Sequence, residues 1–244
     1  MRNQIKLILV AASLLMFWSK ASHATPITVY VRDGVGGVNS DNQPGGVFLA
    51  NAVVKDADKI QGNKVPAGTF SLEMSFNNPN GPYLPLLTYC GDPYSPLKVS
   101  NPGSLGGAFT PRTLSDFGYA ANVVNALDLL WANAFTDSLT SATKAAAFQT
   151  LIWEYVGDVN KGNPFNLNAG DIRTNNNAVA AQAASWNAAL STWTAKSNLI
   201  IFDGRDAGKQ SLFYDAGAGV PEPSTYAMIA AGLAALAIRR KRSA

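Results

Sequence analysis

The sequence predicts an α+β domain, a β-sandwich or barrel-like body with a helical insertion, and three observations carry that expectation. Apolar residues alternate in a strand-like pattern between Ile27 and Cys90, helical spacing with capping residues takes over across 113–197, and strand-like runs return over 198–215. Outside this body, the first 24 residues and the last 25 read as signals rather than as folded chain.

The strand-rich part opens on "ITVYV", which alternates from Ile27, and continues with the apolar stretch Val47 to Val54. In "TFSLEMSF" the same alternation puts Phe70, Leu72, Met74 and Phe76 on one face. The intervening "DGVGGVNSDNQPGG" is built from turn residues. Ser115 stands where it would cap a helix reaching about Phe135, and Ser141 where it would cap a second through Val156 that Gly157 ends. Asn175 to Lys196 carries Val179, Trp186, Leu190 and Trp193 near helical spacing, which marks both Trp residues as core. "LIIFDG" and "SLFYD" supply the closing strands, and no internal repeat interrupts the reading of 25–219 as one domain.

At the amino terminus Arg2 and Lys6 precede an apolar run from Leu7 to Trp18, and Ser22-His23-Ala24 provides small residues for cleavage. These are the parts of a secretory signal peptide over 1–24, removed by signal peptidase. At the other end Pro221, Glu222 and Pro223 introduce an uncharged run, Tyr226 to Ile238, followed by Arg239, Arg240, Lys241 and Arg242. The two prolines force an extended, accessible stretch, and the run is apolar on every side, as a transmembrane helix is. The four cations would hold its end at the cytoplasmic face, so that the protein is anchored in the inner membrane before processing.

Removing both signals changes the electrostatics. The whole chain carries 19 basic and 16 acidic residues. Without Arg2, Lys6, Lys20 and the four tail cations 12 basic residues remain, and without Glu222 15 acidic ones, so the body has a net charge of −3. The excess positive charge belongs to the signals, which leaves nucleic-acid binding without support. The only histidine, His23, goes with the signal peptide, so a Ser-His-Asp triad, a Cys-His dyad and a histidine metal site are excluded. No cofactor is implied, and the body reads as a binding module rather than an enzyme. Asp56-Ala-Asp58 and Asp203-Gly-Arg-Asp206 offer carboxylates that Ca²⁺ takes, but without the spacing of a calcium loop they read as turns.

Val220-Pro221-Glu222-Pro223-Ser224, the apolar run and the basic end together resemble the PEP-CTERM sorting signal of exported proteins in Gram-negative bacteria. The resemblance implies recognition by the membrane peptidase exosortase, removal of 220–244, and delivery to the cell surface or the exopolysaccharide matrix. It implies an address and no activity.

The candidate for activity is the one cysteine. Cys90 ends "YLPLLTYC", and Gln149 lies in the second helix within "KAAAFQTLIWEYVGD", with Trp153 one turn further on. A lone cysteine in an exported protein is buried and inert, exposed and reactive, paired between chains, or bonded to another group. "YCGDP" followed by "FQTLIW" resembles the thioester domains of bacterial surface adhesins. That resemblance implies a bond between Cys90 and the Gln149 carboxamide carbon, formed with loss of ammonia and opened by amines of a matrix ligand. Tyr89, Phe148 and Trp153 would then wall the site against water. The sequence departs from the pattern in having Phe148 before Gln149 and no histidine to act as a base. The resulting expectation is a surface or matrix attachment protein that captures amines covalently. Beside it stand a noncovalent matrix or polysaccharide binder with an inert Cys90, and a carbohydrate-active enzyme using carboxylates alone.

Overall fold

A computed structural model of the chain describes residues 27–33, 46–54, 65–95, 97–98 and 104–216. The signal-peptide reading over 1–24, Asp56-Ala-Asp58, and the sorting segment 220–244 with Pro221, Glu222, Pro223 and its terminal cations lie outside these residues. The described strands are β1 (Val29–Asp33), β2 (Gly46–Val54), β3 (Val65–Phe76), β4 (Leu84–Thr88), β5 (Gly107–Thr113), β6 (Ile172–Arg173), β7 (Leu199–Asp203) and β8 (Leu212–Asp215). Between β5 and β7 lie the helices α1 (Leu114–Phe117), α2 (Ala121–Ser138), α3 (Ala142–Gly157) and α4 (Asn177–Ala189).

All the strand pairings are antiparallel. The order along the sheet is β6-β2-β3-β1-β5-β7-β8, with β4 also on β3. The path β4-β3-β1-β5-β7-β8 nearly closes on itself, because Cys90, just past β4, bridges to Leu212 of β8. Six strands thus form an almost complete barrel, and the helices form the insertion on its side. Val29 and Val31 of β1, Leu72 and Met74 of β3, and Leu199 and Ile201 of β7 are buried in the core, as alternation predicts for the inward face, while Phe202 is buried on the opposite face of β7.

The helix boundaries differ from the sequence expectation in one instructive place. The helix expected from Ser115 to Phe135 is two helices. Thr113, not Ser115, caps the first, its hydroxyl accepting from the Asp116 N–H, and Gly118 ends it at φ 109°. A left-handed residue cannot continue a right-handed helix, so the chain restarts at Ala121. Ser141 does cap α3, accepting from the Lys144 N–H at 3.2 Å, and Asn176 caps α4 in place of the expected Asn175 start.

α3 is the axis of the insertion. Every residue from Ala145 to Glu154 is buried, because α3 packs on β2 and β3 and also against α2 and α4. A helix surrounded in this way is apolar all round, and each polar side chain it carries must find a partner inside the fold.

Candidate functional site at the barrel seam

Gln149 meets that requirement on the backbone of a single residue. Its Oε1 accepts from the Cys90 N–H at 2.7 Å, and its Nε2 donates to the Cys90 carbonyl at 2.9 Å. The carboxamide therefore pairs with Cys90 as a neighbouring strand would, satisfying two backbone groups just beyond the end of β4.

On its other side Cys90 belongs to the seam. The Gly91 N–H donates to Ser211 O at 2.7 Å and the Phe213 N–H to Tyr89 O at 3.0 Å, with the Cys90–Leu212 bridge between them. The Thr88 hydroxyl adds a bond to Phe213 O. This register brings Gln210 alongside the cysteine. The Cys90 thiol donates to Gln210 Oε1 at 2.6 Å, a short separation for a sulfur atom, while Gln210 Nε2 donates to Asp92 O at 2.6 Å.

The site thus holds one thiol and two carboxamides. Cys90 and Gln149 are together, as the sequence expectation required, but through the cysteine backbone. The side chain that receives the thiol is Gln210, which the sequence reading did not single out. The one signal for it was its place in "KQSLF", immediately before an apolar strand.

Burial, and then the negative charge of Asp92, push the Cys90 thiol well above its ordinary range, so the resting sulfur is protonated. The wall around it is aromatic. Tyr89 packs on Phe148 with ring centroids 4.6 Å apart and edge-on to Trp131 at 5.9 Å, and Phe148 meets Trp186 at 5.9 Å. The Tyr89 hydroxyl is fixed between Thr69 at 2.7 Å and Ser138 at 2.6 Å, and burial pushes it up to about 12 despite those bonds. Trp153 is fully buried on the same helix as Gln149, and its indole N–H has no partner among the described residues.

Gln210 is itself buried, but it follows residues 205–208, which are exposed. An anion holds that segment in place. Asp203 accepts from Arg112 at 2.8 Å and from Arg205 at 3.0 Å, and Arg205 stacks over Phe117 at 3.7 Å. Burial works against the Asp203 carboxylate, but its bonds to Arg205 and Arg112 outweigh it and hold it below the usual range. Those bonds commit the Asp203 carboxylate of Asp203-Gly-Arg-Asp206 to arginines in place of a metal cation, and the Asp203 bond to the Arg205 N–H makes the segment a turn.

Among the described residues no helix is long and apolar enough to cross a membrane. No curated protein and no solved structure matches the chain. The model of the PEP-CTERM protein-sorting motif does match, over residues 219–242, the stretch that holds Pro221, Glu222, Pro223 and Arg239 to Arg242. The chain accordingly carries the PEP-CTERM signal of an exported protein sorted by exosortase.

Proposed function

We propose that this exported protein is a surface or matrix attachment module, not a turnover enzyme, and that it captures amines through an internal thioester between Cys90 and Gln210. The observation that carries the proposal is the contact of the Cys90 thiol with the Gln210 carboxamide in a buried, aromatic-walled seam. Gln149 takes the role of positioner in place of acyl donor, since both ends of its carboxamide are engaged by the Cys90 backbone.

The chemistry balances without an added reagent. The Cys90 sulfur attacks Gln210 Cδ, the thiol proton passes to Nε2, and the C–N bond breaks to release ammonia, leaving an acyl thioester. With the thiol protonated and no histidine nearby, positioning and desolvation have to drive the step. Attack by a ligand amine then forms an amide at Gln210 and returns the Cys90 thiol.

Intact mass and peptide mapping of the protein test this reading. A deficit of one ammonia, lost in Cys90→Ala and in Gln210→Ala, with methylamine incorporated at residue 210, is the expected result. Methylamine found at residue 149 would restore the pairing with Gln149. A full mass with a free thiol would leave the noncovalent matrix binder, with an inert Cys90, as the function of the module.

A further inference from the structure

At the carboxyl-terminal end of α3 two acids are buried where electrostatics disfavours them. Glu154 and Asp158 are each only 1% exposed, they lie one turn apart on the same helix face, and Asp158 is the residue that closes the helix. Helix carbonyls make this end negative, so carboxylates here are destabilising, and the last turn holds no basic residue to offset them. The neighbouring cation Lys161 pairs with Asp171 at 2.9 Å.

Each acid uses one oxygen and leaves the other free. Glu154 Oε1 accepts from the Asn166 N–H at 2.7 Å, and Asp158 Oδ2 accepts from the Asp171 and Ile172 N–H groups, both at 2.9 Å. Glu154 Oε2 and Asp158 Oδ1 are buried without a partner among the described residues. A buried carboxylate oxygen with no donor is costly, and two such oxygens on residues one helical turn apart would be satisfied by a cation.

The surrounding chain is shaped to leave room for one. Glu154 and Asp158 line a cavity of ≈ 240 Å³ with Asn163, Pro164, Asn166, Ala169 and Gly170. Gly170 closes it at φ 88°, and a Cβ there would lie 2.5 Å from Asp158 Oδ2 and 3.3 Å from Oδ1. Any other residue at 170 would be strained and would press on the carboxylate.

We infer that this cavity is a calcium site, in which Glu154 Oε2 and Asp158 Oδ1 are the anionic ligands. Ca²⁺ takes 6–8 oxygens in flexible geometry, so two carboxylates with carbonyl or carboxamide oxygens of 163–169 and water suit it. Two negative charges match the ion, and the lining holds no histidine or cysteine to favour a softer metal. The lining residues Asn163, Pro164, Asn166, Ala169 and Gly170 are exposed, which gives the ion an entry path. The site is separate from the seam and does not depend on the thioester.

The test is calcium titration of the full chain in detergent by calorimetry, paired with thermal unfolding in CaCl₂ and in EGTA. One site with a Kd near the roughly 10⁻⁴–10⁻³ M of extracellular modules is expected, together with a melting temperature that rises with CaCl₂ and falls in EGTA. Glu154→Gln keeps an oxygen for the Asn166 N–H, so it should fold, bind calcium roughly tenfold more weakly or worse, and lose the EGTA response. Asp158→Asn serves as the second variant. No heat and no change in melting temperature up to about 10 mM CaCl₂ would overturn the inference, as would an unchanged calcium response in both variants.

Discussion

At the scale of single residues, the two glutamines that meet Cys90 separate by what each removal leaves behind. Gln149→Ala strands the Cys90 N–H and carbonyl inside the core, and each buried, unsatisfied group costs about 1–3 kcal/mol. Its expected signature is a large loss of stability with residual methylamine labelling at residue 210. Gln210→Ala removes the acyl carbon but leaves those backbone groups paired, so it should abolish labelling at a smaller cost in stability. Denaturant unfolding and peptide mapping of the two variants read both halves of that contrast. Glu154 adds a pH dependence. Burial pushes it up to about 7 from an ordinary 4.5, the Asn166 N–H pulls back less, and the Asp158 charge pushes further up. The fold therefore favours protonated Glu154. Its contribution to stability is fully present below about pH 4.5 and is lost as the pH rises through about 7. In EGTA the protein should lose stability across that window, and Glu154→Gln should flatten the curve, as a series of unfolding titrations would show.

At the scale of elements, α3 carries Gln149, Trp153 and Glu154, so its position governs both sites. Ser141→Ala removes the hydroxyl that accepts from the Lys144 N–H, and loss of such a cap costs about 1 kcal/mol. A matching shift of the urea midpoint is expected, without change in methylamine labelling, because the cap lies two turns before Gln149. This helix was legible in the sequence from its Ser cap and its length, although it runs through the expected stop at Gly157 and closes at Asp158. β5 was not legible, because Gly106, Gly107 and Pro111 look like a turn and proline is rare in a central strand. The structure resolves the conflict. β1 pairs with Gly107 to Phe109 only, so Pro111, although opposite Phe202 in the ladder with β7, has no partner on the β1 side and makes β5 a one-sided strand there. Gln210 was hidden for a different reason. Its meeting with Cys90 depends on barrel closure across 120 residues, and no local periodicity records a contact of that range. The Cys90–Gln149 proximity, by contrast, was expected only from the resemblance of "YCGDP" and "FQTLIW" to thioester domains, not from strand or helix patterning.

At the scale of the whole molecule, the sorting signal and the seam impose an order of events. The motif over 219–242 begins just after β8, whose last residue is Asp215. β8 provides Leu212 and Phe213 to the seam, so the strand that follows Gln210 leads directly into the segment the exosortase must reach. Processing therefore requires the stretch around Pro221, Glu222 and Pro223 to stay accessible while β8 is held in the barrel. If the address and the domain are independent, Glu222→Ala together with Pro223→Ala should block removal of the tail and leave the body intact. The expected result is a chain that keeps its carboxyl-terminal residues and stays with the membrane fraction, with Cys90 in the same bonding state as in the parent. Mass spectrometry of membrane and released fractions decides it. A doubly substituted chain released at the normal rate would show that some other feature directs sorting. A retained chain whose Cys90 is newly open to alkylation would show that processing and seam closure are coupled.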